Sequence, residues 1–144
     1  MKKLFTLVVA AFAALSVSAK EDIDISSIAT DNVVTFAGAW SWKGINYGST
    51  DETTGKTTYA DKSAFEYIVF EYTTGTCADV NLIAQYEPDG TTGQWGANYY
   101  TSTEICNVNP AGGILAVKLD ATHSKTLNAV ALQNRNTVGA ITIK

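Results

Sequence analysis

A single histidine, fourteen acidic residues and two cysteines are what this chain of 144 residues offers for catalysis, against three tryptophans and seven tyrosines for apolar contact. His123 lies in Asp120-Ala121-Thr122-His123-Ser124, a turn-like stretch. A catalytic histidine must be held against a nucleophile and oriented by a third group, whereas a lone histidine in a turn ordinarily faces water. Hydrolysis of a glycosidic bond asks for two carboxylates across a cleft. Glu66 and Glu71 belong to one extended segment and fall on opposite faces of it. Glu87, Asp89 and Glu104 sit in loops or at strand ends. Phosphate chemistry uses a glycine-rich loop that runs into a helix, and no glycine-rich stretch here does so. No catalytic residue is assigned, and the chain is expected not to be an enzyme.

The aromatic residues carry more information. Trp40 and Trp42 are two apart, so on an extended segment they share a face. One of the pair is expected to plug the core and the other to be free. Trp95 lies in Gly93-Gln94-Trp95-Gly96-Ala97-Asn98-Tyr99-Tyr100, where glycines on both sides leave the indole uncrowded. Tyr99 and Tyr100 point to opposite faces if extended, so only one of them can share a face with a ligand. An indole is a flat apolar plate that can stack on the C–H face of a pyranose ring. Amides supply both a donor and an acceptor, which suits hydroxyl groups. Gln85, Gln94, Asn98, Gln133 and Asn134 are of that type. Apolar plates with a few placed polar groups are the general recipe for a small-ligand site.

Strands must position these side chains, because helical periodicity is nearly absent. Candidate strands are 33–37, 65–72 (FEYIVFEY), 80–86 (VNLIAQY), 103–108, 114–119 (ILAVKL), 127–133 (LNAVALQ) and 138–144 (VGAITIK). Turn clusters separate them, among them Pro88-Asp89-Gly90 and Asn109-Pro110-Ala111-Gly112-Gly113. Short strands between such turns predict an all-β, antiparallel two-sheet β-sandwich. Alternation then assigns faces. Ile68, Phe70 and Tyr72, Val80, Leu82, Ala84 and Tyr86, Leu115, Val117 and Leu119, and Val130 and Leu132 belong in the core. The opposite sets, such as Asn81, Ile83 and Gln85 or Ala129, Ala131 and Gln133, mix small, apolar and amide side chains, a composition fit to line a shallow groove. The segment 40–61, with Gly44, Gly48, Gly55 and many threonines, is expected to be a long excursion from one end of the sandwich.

Lys2 and Lys3, the apolar run 4–15 and the small residues Val17-Ser18-Ala19 form a secretory signal over residues 1–19. The apolar run is too short for a membrane span of about 20 residues. One domain, 20–144, remains, and it is placed outside the cytoplasm: periplasmic, cell-surface or extracellular. Loss of Lys2 and Lys3 leaves eight basic residues against fourteen acidic ones and takes the formal charge from −4 to −6. That charge argues against nucleic acid and anionic membranes as partners. Cys77 and Cys106 permit a disulfide, worth roughly 3–4 kcal/mol for a loop of about 30 residues; two buried free thiols are the other reading. One histidine and no Cys-x-x-Cys spacing argue against a metal site. The chain stops on a strand, as a piece of a longer protein would.

The succession YIVFEY, VNLIAQY, a loop with QWGANYY, ILAVKL, LNAVALQN and a final AITIK, preceded by Trp40-Ser41-Trp42, resembles the jelly-roll carbohydrate-binding modules of secreted Bacteroidetes polysaccharide-degrading proteins. The resemblance covers roughly 33–144. It implies a non-catalytic module that binds plant-type polysaccharide, a β-glucan or glucomannan-like chain, in a groove on one sheet or at a loop edge. Carried onto this chain, it points to Trp42, Gln85, Trp95 and Gln133, to which the pattern of residues adds Trp40 and Tyr99. It also implies a fused or neighbouring glycoside hydrolase as partner. No cofactor is expected. Many such modules hold a structural calcium, but no carboxylate cluster in this sequence clearly supplies its ligands. The rival expectation is a structural or adhesive β-sandwich of a cell-surface assembly, with the aromatic rings packed in its core.

Overall fold

The computed structural model describes residues 4–8 and 20–144. Of the segment assigned as a signal, residues 1–3 and 9–19 therefore lie outside the described residues. Strand β1 (Leu4–Val8) pairs antiparallel with β2 (Lys20–Asp24), Leu4 opposite Asp24 and Val8 opposite Lys20. Among the described residues no helix is long and apolar enough to cross a membrane.

Ten further strands follow in the chain: β3 (Val33–Phe36), β4 (Trp42–Asn46), β5 (Ser49–Thr50), β6 (Thr57–Thr58), β7 (Tyr67–Gly75), β8 (Asp79–Gly93), β9 (Gly96–Asn107), β10 (Gly113–Lys118), β11 (Ala129–Asn134) and β12 (Gly139–Ile143). A 3-10 turn, Ser124–Thr126, precedes β11. Two four-stranded antiparallel sheets result, in the orders β10-β7-β12-β3 and β4-β11-β8-β9. The pairings are nested. β8 pairs with β9, β7 with β10, β4 with β11 and β3 with β12. The chain is thus one long hairpin, turned at Gln94-Trp95 and rolled up so that its successive layers alternate between the sheets, which is the jelly-roll sandwich.

Alternation explains why the roll closes. Ile68, Phe70, Val80, Leu82, Ala84, Tyr86, Leu115, Val117, Val130 and Leu132 are all buried, joined by Val34, Phe36, Ile141 and Ile143 from the outermost pair. Each such Leu, Ile or Phe contributes roughly 1.5–3 kcal/mol by leaving water. Tyr86 enters this core with its hydroxyl satisfied at both ends: it bonds Ser102 Oγ at 3.0 Å and accepts the Asp120 N–H at 2.8 Å. β2 is pinned by Lys62, which is buried, pairs with Glu21 and lies 5.4 Å from the Tyr47 ring. Burial, and secondarily the Glu21 charge, push the Tyr47 hydroxyl up to about 12.

Three expectations need correction. The excursion 40–61 contains β4, a full partner of β11, and only beyond it the small β5–β6 pair. Only Ile45 of β4 joins the core cluster, so the alternation that marks other strands is missing from its sequence. Pro88-Asp89-Gly90 is not a turn. β8 runs through it to Gly93 with two register shifts, at a point where β8 has already left β11, whose pairing ends at Gln85. A proline is tolerated there because it sits at an irregularity with one side unpaired. Finally, neither tryptophan of the Trp40–Trp42 pair is core: both are exposed, and Phe36, Phe70 and Tyr86 are the large aromatic side chains buried there.

Candidate functional site

The outer face of the β4-β11-β8-β9 sheet is a grid set by strand register. One row across the sheet reads Trp42, Gln133, Asn81 and Ile105; the next reads Gly44, Ala131, Ile83 and Thr103; the third reads Asn46, Ala129, Gln85 and Thr101. These residues alternate with the core residues Ile45, Val130, Leu132, Leu82 and Ala84, so they face away from the core. None of the twelve is charged, in a chain whose acids outnumber its basic residues. Ala129, Ala131 and Ile83 are buried yet lie outside the core cluster. Their burial on the outward side means that neighbouring side chains cover them, so they form a closed apolar floor beneath the polar side chains of β11 and β8.

Trp42 stands at the edge of this floor on β4. A Cβ at Gly44 would lie 2.4 Å from Trp42 Nε1 and 3.3 Å from both Cδ1 and Cε2. Equal distances to the two atoms that flank the nitrogen centre that point on it, and their being much longer than the distance to the nitrogen puts it beyond the N–H edge instead of over the ring face. The indole therefore seats its N–H edge over Gly44 and does not press a face against it. With 43 % of the residue exposed, a ring face remains available for stacking. Glycine at 44 is what permits this seat.

Two amide pairs cross the floor. Asn81 Nδ2 donates to Gln133 Oε1 at 3.1 Å, and Asn128 Nδ2 donates to Gln85 Oε1 at 2.8 Å. Each bond holds two flexible side chains in one orientation. Each pair keeps an unused carboxamide oxygen, on Asn81 and Asn128, and an unused NH2, on Gln133 and Gln85. Gly48 serves the second pair, since a Cβ there would come 2.0 Å from Asn128 Oδ1.

The structure places Trp42, Gln85 and Gln133 on one face of the β4-β11-β8-β9 sheet, and β9 carries Tyr99 on the same face as Thr101. It leaves two aromatic residues apart. Trp95 is 93 % exposed at the tip of the β8–β9 arm, in a two-residue connection closed by Gly96 at φ +115°. Nine steps along β9 separate Gly96 from Ile105, the β9 member of the Trp42 row, which is about 30 Å of extended strand. Trp40 is 60 % exposed in the bend before β4, with a left-handed backbone (φ 62°) that a bulky residue rarely adopts. Its N–H donates to the Asn134 carbonyl at 2.7 Å. Asn134 itself is buried and structural: its amide bonds the Gly38 and Thr137 carbonyls and so brackets the bend. Asn98 is likewise occupied, donating to Thr91 Oγ1 across the arm at 2.8 Å.

Sequence reasoning missed Asn81, Asn128 and Gly44 as site residues. Asn81 was legible as a face-mate of Gln85 four residues away. Asn128 precedes its strand and is reached only through tertiary pairing.

His123 is not simply solvated. Its ring stacks on Tyr100 at 4.0 Å and its Nδ1 lies 3.2 Å from Asp120 Oδ2, so it braces the base of the arm. The Thr122 N–H, and after it His123, hold the Asp120 carboxyl below its usual range. A cleft of about 390 Å³ lies elsewhere, lined by Phe65, Glu66, Lys118, Leu119 and Ser124 among others. Its charges are already paired, Glu66 with Lys118 at 3.5 Å. Among the described residues no three of His, Cys, Asp and Glu gather as a metal-binding set. Cys77 and Cys106 are free thiols, which corrects the disulfide reading. Cys106 sits opposite Val80, three residues beyond Cys77, and the two sulfurs reach different carbonyls, Ala140 for one and Ala116 for the other. Burial raises both thiol pKa values.

No protein-family model, curated protein or solved structure matches this chain.

Proposed function

We propose that this chain is a non-catalytic carbohydrate-binding domain that holds a neutral plant-type polysaccharide, β-glucan or glucomannan-like, on the outer face of the β4-β11-β8-β9 sheet. The observation that carries this reading is the exposed Trp42 ring seated at the edge of an uncharged floor crossed by two oriented amide pairs. Pyranose rings present apolar C–H faces and a rim of hydroxyls. An indole face suits the first, and paired amides with spare donors and acceptors suit the second. A surface of excess negative charge disfavours polyuronates and leaves neutral chains unopposed. The role is to keep a polysaccharide near a glycoside hydrolase, fused or neighbouring, by raising its local concentration. The rival reading, a structural or adhesive sandwich, needs the rings in the core, and the exposure of Trp42 and Trp95 speaks against it.

Affinity gel electrophoresis of the secreted protein through glucomannan, mixed-linkage β-glucan, xylan and polygalacturonate tests the proposal. Retardation by one or more of the neutral polymers, lost in Trp42→Ala, is the expected result. Migration unchanged by every polymer would end the proposal.

A further inference from the structure

We infer that the bound glycan runs along β8 and β11, spanning both amide pairs, so that the shortest ligand held with full affinity has about three sugar units. This inference rests on the carbohydrate-binding reading. Asn81 and Gln85, one from each pair, are four residues apart on β8, which is about 13 Å of extended strand. The buried residues Ile83 and Ala131 occupy the row between them. Trp42 on β4 and Thr103 on β9 flank that floor. A chain laid across the strands meets one amide pair at most. A chain laid along them meets both, and its end at the Asn81–Gln133 pair lies beside the exposed indole of Trp42.

The amide pairs also state what they take. In each, one N–H is spent on the partner amide, which leaves one carboxamide oxygen and one NH2 without a protein hydrogen bond, the Asn128 oxygen lying against Gly48. That couple matches two neighbouring hydroxyls of one ring, one donating to the oxygen and one accepting from the NH2. Because the pairs are already oriented by their mutual bonds, little side-chain freedom is lost on binding. The span of about 13 Å between them corresponds to roughly three pyranose units. A disaccharide reaches only one pair.

Calorimetry with linear β-1,4-linked gluco- and manno-oligosaccharides of two to six units tests this, alongside gel retardation by the parent polymers. Affinity is expected to rise about tenfold between two units and three or four, as a second pair of hydrogen bonds is made, and then to level off. Asn81→Ala and Gln85→Ala should each remove that step while leaving the disaccharide within about threefold of wild type in at least one of the two variants. A polymer that retards the protein while affinity is flat from two units onward would overturn the two-pair site and leave carbohydrate binding standing. So would a step that survives in both variants, or polymer retardation with no binding of any oligosaccharide up to six units. Failure of every polymer to retard the protein would remove the underlying reading as well.

Discussion

Replacing Gly44 by alanine puts the proposed stacking plate to a sharp test, because the substitution adds one methyl group where the indole edge rests. The new Cβ would sit 2.4 Å from Trp42 Nε1. That is about 1 Å inside ordinary contact distance, so the ring must swing off its seat. The atom that must yield belongs to a half-exposed side chain, so relief is cheap. Gly44 also has an ordinary backbone, and alanine there gains about 0.5–1 kcal/mol from reduced unfolded-state freedom. Stability is therefore expected to stay within about 1 kcal/mol of wild type. Loss of one aromatic stacking contact is worth about 1–3 kcal/mol by analogy with base stacking, a fall in polysaccharide affinity of roughly 5- to 150-fold. Trp42→Ala is the blunter tool. It deletes about 100 Å² of buried apolar surface, near 2.5 kcal/mol of stability, and confounds binding with folding. Urea unfolding and calorimetry on the same Gly44→Ala preparation make the measurement. Wild-type affinity in a variant whose tryptophan fluorescence shows the ring displaced would refute the role of Trp42. A stability loss above about 2 kcal/mol would refute the claim that the ring yields freely.

Trp95→Ala should leave the urea midpoint within about 0.5 kcal/mol of wild type. It should weaken retardation by polymer about fivefold or more yet leave tetrasaccharide affinity unchanged, since the arm tip is beyond a tetrasaccharide bound at Trp42; a loss of tetrasaccharide binding would put Trp95 in the same site. Thiol titration in denaturant should find two free thiols, with Cys106 ahead of the more buried Cys77 under native conditions; an intact mass lower by the two hydrogens lost when a bridge forms would contradict this. Acid should destabilise the protein. Asp51 is held below the usual carboxylate range by the Thr54 N–H, Asp61 and Asp89 by the Ser63 and Thr91 hydroxyls, and Asp120 by the Thr122 N–H. A depressed folded-state pKa means the unfolded chain takes up protons first, so stability is full above about pH 5 and declines below about pH 4 as these groups protonate. The decline should be shallow because the groups are exposed, and a urea midpoint that rises on acidification would contradict the sign.

The core was legible because alternation is a local signal. Val80, Leu82, Ala84 and Tyr86 announce a buried face within seven residues, and all four are buried. Trp95 was legible for a similar reason, since its flanking glycines free it in any fold. The amide-bearing reverse face was visible as a composition, but its use was not. Gln85 gains Asn128 as a partner only because β8 lies beside β11, and Trp42 gains its seat only because β4 becomes a strand with glycine at its centre. Length was misjudged where local chemistry and tertiary pairing disagree: Pro88-Asp89-Gly90 has the composition of a turn, yet β9 holds β8 extended through it to Gly93. That Trp40 is not core was not legible, because its outward position follows from a left-handed backbone bracketed by Asn134, which lies more than ninety residues away along the chain. The sequence by itself determined the alternating core strands and which of their faces is apolar, since both depend on neighbours two residues apart, but not β4, whose strand comes from its pairing with β11. The tertiary structure alone decided which polar residues of different strands meet, because nested pairing brings together segments that no local pattern connects.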